Sequence, residues 1–421
     1  MLHLFAMGPV ISWTLVFGSC HHQEMPSPAL VSAAASKPDV FVFLGDNVYN
    51  DLDASGMPCE PVECRRQHGF WTKLRSKVLQ AAFRVITLTR PKLAKRMSSN
   101  YVREHNMRVG DHDMEALDLA YATLSIKKEF LALRLSVPSV LATWDDHDFC
   151  RNDAGASCPW ANRTQAQFLR FWRGDDALSA RGGRPGVYEA YTFPMEGHSR
   201  TVRVLLLDTR SFRSDHIRPS VNASMPSAAS CKPEAGPIPY CQQMARNATL
   251  LGEAQWSWLE AEIRVPADVR IIASSISFGA EFQQNGDETW AIFPHEQARL
   301  LDLLDRTQVP GVVFISGDLH YGEINEVNIA RGAPYTLFDL TSSGLNMRLP
   351  AQPNRHRLGR PVEAHNWGAV AVDFGATAAD TTIELRLHDA KTGKPLISHS
   401  LPLSDLQLKV DPVHGNSSTT S

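Results

Sequence analysis

The chain contains 421 residues, of which 43% are hydrophobic and 21% are charged, as in ordinary globular proteins. It has 42 lysine and arginine residues against 45 aspartate and glutamate residues, which gives a net charge of −3. No nucleic-acid-binding surface is expected, because that affinity depends on positive charge that neutralises backbone phosphates. The seven cysteines are an odd number, so they cannot all pair within the chain.

The first twenty residues contain no lysine, arginine, aspartate or glutamate. They could form a signal peptide, although the usual basic segment is missing, or by their length a membrane span. We prefer a third interpretation, in which residues 11–17 form a buried strand that enters a tight turn at 18–20. Too little sequence then precedes the strand for a targeting peptide. We therefore expect no stable membrane span and a chain that lacks its natural N-terminal signal.

Short apolar runs then alternate with helical patterns along the chain. The runs are continuous, which is typical of strands buried on both faces. Strands that alternate with helices predict an α/β fold. The runs cover residues 40–44, 140–144, 202–207, 271–273 and 312–315, and the helical patterns cover residues 114–135, 253–263 and 295–304.

One large domain over residues 1–410 accounts for this pattern. Residues from about 214 to 248 contain Pro, Ser and Asn without periodicity, so we interpret them as a long insertion loop. The polar residues 411–421 are expected to form a disordered tail.

Six cysteines form three pairs that are close in sequence and lie among loop-forming residues. Local disulfides in an oxidising compartment are the simplest interpretation, and seven reduced thiols are the alternative. Four N-glycosylation patterns also favour a secreted glycoprotein or one in the lumen of the secretory pathway. The pairs are Cys59 with Cys64, Cys150 with Cys158 and Cys231 with Cys241, and the glycosylation patterns begin at Asn162, Asn222, Asn247 and Asn416.

Cys20 is left over from this pairing. Such a cysteine is a buried spectator, half of an intermolecular bridge or a thiolate with a chemical role.

A polar cluster follows each of several apolar runs, at the carboxyl end of the predicted strand. In α/β sheets, ligand sites lie at the carboxyl ends of the strands. Several carboxylates that converge there would repel one another and raise their pKa values, and bound cations would remove this penalty. The clusters therefore predict a metal site. Each of these residue types also has an ordinary structural role. A single Asp is more often a cap or turn residue. A lone tyrosine is more often a core residue, and a lone arginine is more often half of a surface ion pair. The clusters lie at residues 18–20, 45–51, 144–148, 208–210 and 317–321.

Oxygen donors predominate among these side chains, with one imidazole, one thiol and one phenol as further candidates. This donor set suits iron, manganese, calcium or magnesium better than a tetrahedral zinc site. Two metals bridged by one carboxylate would hold a hydroxide in position for in-line attack on phosphorus.

At these residues the sequence resembles the PhoD-like alkaline phosphatases of the calcineurin-like metallophosphoesterase superfamily. The resemblance runs from about Phe17 to Leu345. It implies a four-layer sandwich of two mixed β-sheets flanked by helices. It also implies hydrolysis of phosphate monoesters, diesters or both by a metal-bound hydroxide, without a covalent intermediate. Its motifs are FGSC, PDVFVFLGDNVYND, VPSVLATWDDHDFCRNDAG, VLLLDTRSFR, ETWAIFPHEQARLLDLL, FISGDLHYGEI and DLTSSGLN.

The resemblance also implies roles for individual residues. Cys20 and Tyr49 would hold Fe(III), and Asp46 would bridge the metals. Asp146 would bind a second ion, for which Ca(II) is expected, and Mn, Mg and Zn are the alternatives. The adjacent Asp145 is another candidate ligand, because neighbouring residues point to opposite faces of an extended segment.

Four further positions match the late part of the pattern and the substrate region. Asp318 and His320 match metal ligands, and His147 matches the histidine that protonates the leaving oxygen or stabilises the transition state. Arg210 would clamp the substrate phosphate with its fork of donors.

The expected partners are therefore small phosphate esters. The alternative function is a non-catalytic extracellular binding module that retains the fold, which would be expected to have lost ligands. The sequence leaves the oligomeric state open, and we expect the loops at 214–248 and 346–356 to set the preference for monoesters or diesters.

Overall fold

The computed structural model describes residues 11–51, 112–174, 176–217, 229–230, 241–282, 288–328 and 332–408. Strands and helices are numbered here along the described chain. The strands are β1 Ile11–Gly18, β2 Val40–Leu44, β3 Ser139–Thr143, β4 Glu189–Pro194, β5 Thr201–Leu206, β6 Ala229–Ser230, β7 Gln242–Gln243, β8 Val269–Ile276, β9 Val312–Gly317, β10 Gly322–Val327, β11 Leu337–Ser342, β12 Asn366–Phe374, β13 Thr382–Asp389 and β14 Pro395–Pro402.

The helices of the described chain surround two six-stranded sheets. They are α1 Pro28–Ala35, α2 His112–Ser125, α3 Lys128–Ser136, α4 Asp146–Phe149, α5 Ala161–Arg173, α6 Ala177–Ala180, α7 Gly252–Ile263 and α8 Pro294–Thr307, with 3-10 turns at Trp290–Ile292 and Leu403–Leu406. Among the described residues, every helix is too short or too polar to cross a lipid bilayer.

Both sheets mix parallel and antiparallel strands. The first has the order β14-β13-β12-β1-β2-β3, in which β1, β2 and β3 are parallel and the other pairs are antiparallel. The second has the order β10-β11-β9-β8-β5-β4, with β11, β9, β8 and β5 parallel. The predicted fold class, an α/β sandwich of two mixed sheets flanked by helices, is therefore confirmed.

Strand β2 explains why the apolar runs are continuous. Val40, Val42 and Leu44 pack in the core that includes the second sheet, whereas Phe41 and Phe43 pack with residues of the flanking helices. Successive side chains of a strand point to opposite faces, so a strand between two apolar layers needs apolar residues at every position.

The predicted helix over residues 114–135 is wrong as one unit, because α2 ends at Ser125 and α3 begins at Lys128. Lys127 has extended backbone angles, with φ −66° and ψ 124°. Its Nζ donates hydrogen bonds to the carbonyl oxygens of Gln23, at 3.2 Å, and Met25, at 2.5 Å. Lys127 thus lies at the junction of the two helices and binds the segment between β1 and α1.

One predicted disulfide lies wholly within the described residues, and Cys150 and Cys158 do form it. Cys241 is disulfide-bonded, while its predicted partner Cys231 lies outside the described residues. Cys20 is a free, buried cysteine. Cys59, Cys64, Asn222, Asn416 and residues 411–421 lie outside the described residues, as does much of the predicted loop at 214–248, whose described part includes β6 and β7.

A tight turn at Gly45 brings the end of β2 against the end of β3. Gly45 has φ +95°, a region that residues with a Cβ atom rarely adopt. A Cβ atom on Gly45 would lie 2.4 Å from the Cβ atom of Asp145. The turn therefore requires glycine both for its backbone conformation and for the close approach.

Replacement Gly45→Ala should lower the free energy of unfolding by at least about 2 kcal/mol, since a left-handed backbone costs roughly 1–2 kcal/mol and overpacking roughly 1–3 kcal/mol. Urea unfolding would measure the loss. Gly183→Ala is the matched control, because Gly183 has φ +72° but open space around its Cβ position. Equal losses in the two variants would contradict the close approach.

Candidate metal centre

Cysteine, aspartate and histidine side chains, which can bind metals, converge at the ends of β1, β2, β3 and β9. Asp46 belongs to three groups, in each of which the ligand atoms lie within 4.8 Å of one another. It is therefore shared between neighbouring sets of donors, as a bridging carboxylate would be. The groups are Cys20 with Asp46 and His320, Asp46 with Asp146 and His147, and Asp46 with Asp145, Asp146 and Asp318.

The backbone at these strand ends is strained. Cys20, Asp46, Asp318 and His320 have φ values of 60°, 48°, 71° and 59°, in the left-handed region. Each such residue costs on the order of 1 kcal/mol or more, and strain of this kind is concentrated at functional sites. Four such residues in one cluster indicate that the side-chain directions matter more than the local backbone energy.

Cys20 and Tyr49 lie on one side of Asp46. The Cys20 Sγ atom is 3.7 Å from Asp46 Oδ2, and the Tyr49 hydroxyl donates a hydrogen bond of 3.0 Å to the same oxygen. Burial raises the pKa of both the thiol and the phenol. Because Cys20 is fully buried, it is not available for a bridge to another chain.

The carboxylates on the other side fit a cation. Asp46 Oδ1, Asp145 Oδ2 and Asp146 Oδ1 are buried and have no hydrogen-bond partner among the described residues. Burial, followed by the charges of nearby carboxylates, raises the pKa of Asp46 and of Asp318. A positive ion among these oxygens would satisfy them and favour their ionised forms, so the residues fit the metals that the resemblance implies.

The structure brings both Asp145 and Asp146 to the cluster. Asp145 is extended and precedes α4, whereas Asp146 is the first residue of that helix, so the two do not simply alternate along a strand. Asp145 Oδ1 pairs with Arg210 Nε and accepts a 2.7 Å hydrogen bond from the Ser275 hydroxyl. Asp146 Oδ2 accepts a 2.6 Å hydrogen bond from the backbone N–H of Asp153. Each carboxylate keeps one oxygen toward the cluster.

His147 lies between the cluster and Asp51. Its Nδ1 atom is 2.6 Å from Asp51 Oδ1, and its ring centroid is 4.4 Å from that of Tyr49. Burial lowers the pKa of His147, but the carboxylates of Asp51, Asp146 and Asp46 outweigh it and raise the pKa well above its ordinary value. His147 is thus suited to carry a proton.

Asp148, which was not predicted as a site residue, supports the turn that carries Asp46. It accepts hydrogen bonds from the backbone N–H groups of Asn47 and Asp145, both at 3.1 Å, and from the Tyr121 hydroxyl at 3.2 Å. Burial raises the pKa of Asp148 to about 7. The signal that could have identified Asp148 as a site residue is its position as the third aspartate of the motif WDDHDF.

Arg210 is completely buried beside the cluster, so it is not a surface residue. Besides Asp145, it contacts Glu288, whose Oε2 atom is 2.5 Å from Arg210 Nη1. The other oxygen of Glu288 pairs with Arg213 and His216. Glu288 and Arg213 were not predicted, although they lie in the motifs ETWAIFPHEQ and VLLLDTRSFR. Nothing in the local pattern indicated that these distant segments meet.

Comparisons with known proteins show what this chain is similar to. Residues 196–366 match the family model of the PhoD-like phosphatases. Among solved structures, PhoD matches with a TM-score of 0.59 and 16% identity over 97% of this chain and 74% of that one. Comparison with curated proteins gives no significant match.

Two other solved structures have TM-scores below 0.5. GAP50, described as the anchor in the inner membrane complex of Plasmodium, has a TM-score of 0.44 and 10% identity over 95% of this chain and 90% of that one. The purple acid phosphatase PPD1 of yellow lupin has a TM-score of 0.45 and 9% identity over 94% of this chain and 55% of that one.

The family match supports a phosphatase function, and the structural match to PhoD supports the fold. The predicted resemblance to the PhoD-like phosphatases is therefore confirmed, by the family model over residues 196–366 and by the fold of the described chain.

Proposed function

We propose that this protein is a metal-dependent phosphatase that hydrolyses phosphate monoesters, diesters or both. The observation that supports this most directly is the sharing of Asp46 by three groups of ligand-type side chains. A binding module that had lost catalysis would be expected to lack some of these donors. The predicted metal-binding positions instead all retain side chains that can bind a metal.

The donor types suggest how two kinds of ion would be held. Cys20 and Tyr49 would bind Fe(III), since thiolate and phenolate donors suit iron. Asp146 and Asp318 would bind a harder ion such as Ca(II), and Asp46 would contribute to both sites. His320, which shares a group with Cys20 and Asp46, would belong to the iron site. Bound in this way, the metals would neutralise phosphate oxygens and activate water for in-line attack.

The remaining residues would position and protonate the ester. His147, held by Asp51, would give a proton to the leaving oxygen. Arg210 would bind a phosphate oxygen, with its orientation fixed by Asp145 and Glu288. The Cys150–Cys158 disulfide and the exposed Asn162 and Asn247 support a secreted or lumenal location.

Asp46→Asn should reduce kcat/KM for 4-nitrophenyl phosphate by more than about a thousandfold, because both ions would lose a shared charged ligand. Elemental analysis should show a matching loss of bound metal. Asp302→Asn, at a side chain that is 63% exposed, is the control and should retain activity. Full activity in Asp46→Asn with an intact fold would overturn the bridging role.

If Cys20 and Tyr49 bind Fe(III), the purified protein should absorb visible light by ligand-to-metal charge transfer. Cys20→Ser and Tyr49→Phe should each weaken or shift the absorption band. Tyr335→Phe should leave it unchanged, since the Tyr335 hydroxyl instead donates to the Val309 carbonyl. A colourless, active enzyme that contains only zinc would contradict the iron assignment.

Asp51→Asn should lower kcat by about 10–100-fold, because His147 would lose the carboxylate that orients it. The metal content should stay the same, which separates this effect from loss of the centre. Asp176→Asn, at an exposed position, serves as the control. An unchanged kcat in Asp51→Asn would show that the contact has no part in positioning His147.

A further inference from the structure

The segment that joins α4 to α5 is closed by the disulfide between Cys150 and Cys158. The two cysteines are eight positions apart, and they are only 4% and 8% exposed. Both pack in the hydrophobic cluster that contains Phe149 and Phe168, so the ends of the segment are fixed to the core. Residues 150–158 are called the disulfide loop below.

The middle of the disulfide loop has little regular structure to support it. Asn152, Ala156 and Ser157 are exposed, and the chain forms short turns there rather than a helix or a strand. Exposed loops are among the most mobile parts of a protein unless specific contacts hold them. A cross-link between the ends of the loop restricts the conformations that it can adopt.

Two consecutive backbone N–H groups of the loop reach the candidate metal centre. The N–H of Asn152 donates a hydrogen bond of 3.2 Å to Asp51 Oδ2, and the N–H of Asp153 donates one of 2.6 Å to Asp146 Oδ2. Asp153 has φ +60°, a left-handed conformation that residues with a Cβ atom adopt at a cost in energy. The loop therefore bears a strained residue at the point where it contacts the centre.

These two carboxylates flank His147, which is proposed to protonate the leaving oxygen. Asp51 contacts His147 Nδ1 through its other oxygen, Oδ1, at 2.6 Å. Asp146 directly precedes His147, and its Oδ1 atom is buried without a hydrogen-bond partner among the described residues. The loop thus holds one oxygen of each carboxylate and leaves the other for the histidine or for a metal.

A second set of contacts attaches the loop to Arg213. The Arg213 guanidinium donates a hydrogen bond to the Asp153 carbonyl, and the N–H of Ala156 donates one of 2.8 Å to the Arg213 carbonyl. A Cβ atom on Gly155 would lie 2.5 Å from the same Arg213 oxygen, so the two segments are in close contact. Because Arg213 also pairs with Glu288, the loop is tied to the buried ion-pair network beside the centre.

The residues proposed to bind Fe(III) are held by other segments of the chain. The Cys20 Sγ atom is 3.0 Å from Ser343 Oγ. The Gln23 side chain pairs with both backbone groups of Tyr49, in two hydrogen bonds of 2.9 Å. A change in the disulfide loop should therefore affect the two metal sites unequally.

We propose that the disulfide loop is a positioning element for the second metal site. By holding Asp146 and Asp51 with two successive N–H groups, it sets the affinity for the ion that Asp146 binds and the placement of His147. The disulfide keeps the two N–H groups in place. This proposal rests on the proposed function, because it takes Asp146 as a ligand of the second ion.

The test measures, by calorimetry, the affinity of the iron-containing full chain for Ca(II) after a chelator has removed the second ion. The double variant Cys150→Ser/Cys158→Ser removes the cross-link without leaving a free thiol. Gly155→Ala keeps the disulfide but forces the loop away from the Arg213 carbonyl. Ser157→Ala is the matched control, because it removes an exposed hydroxyl group of the same loop.

We expect the double variant to bind Ca(II) about tenfold more weakly than the wild type, since loss of a group that orients a metal ligand typically has an effect of this size. Its iron content and visible absorption should be unchanged, and hydrogen exchange in residues 150–158 should be faster. Gly155→Ala should weaken Ca(II) binding by a few-fold, and Ser157→Ala should bind as the wild type does.

Unchanged affinity for Ca(II) in both the double variant and Gly155→Ala would overturn the positioning role while leaving the proposed function in place. Loss of iron and Ca(II) together in both variants would also overturn it, because the loop would then stabilise the fold in general. If only the double variant lost both ions, a selective loss of Ca(II) affinity in Gly155→Ala would support the proposal. Failure of the wild type to rebind Ca(II) would instead overturn the calcium site of the proposed function, and with it this proposal.

Discussion

The structure depends on the cost of burying several carboxylates within a few ångströms of one another. Asp46, Asp145, Asp146 and Asp318 bring oxygens within 4.8 Å of one another. The first three residues are buried and Asp318 is half-buried. Arg210 neutralises part of this charge from one side and His147 lies on another. Neither Arg210 nor His147 contacts all of the buried carboxylate oxygens that lack a hydrogen-bond partner. Bound metal ions therefore explain the arrangement best.

The two sheets make this concentration of charge achievable. Parallel strands of both sheets end at the same edge, and tight turns there carry Asp46 and Asp318 into the centre. Behind the turns, continuous apolar strands keep the supporting core closely packed. Buried polar contacts such as those of Asp148 then fix the turns to one another. The fold thus supplies rigid supports for groups that would separate in a looser structure.

The buried strands and most of the site could be predicted, because each depends on residues that are adjacent in sequence. The apolar run at residues 40–44 coincides with β2, and the candidate ligands follow such runs. Strands β12, β13 and β14 were missed for physical reasons. β12 contains glycine and alanine, and β13 alternates buried and half-buried residues. Glu288 was missed because its partner Arg210 is distant in sequence, so only the folded chain brings them together.

The left-handed residues of the centre have an evolutionary consequence. At Cys20, Asp46, Asp318 and His320, glycine would relieve the backbone but would also remove a ligand. Selection for hydrolysis and selection for stability therefore act in opposite directions at these positions. In a lineage that no longer needed catalysis, glycine substitutions should accumulate there first, while the apolar strands behind them persisted. Among homologues, such glycines would distinguish descendants that keep only the scaffold from those that still act as enzymes.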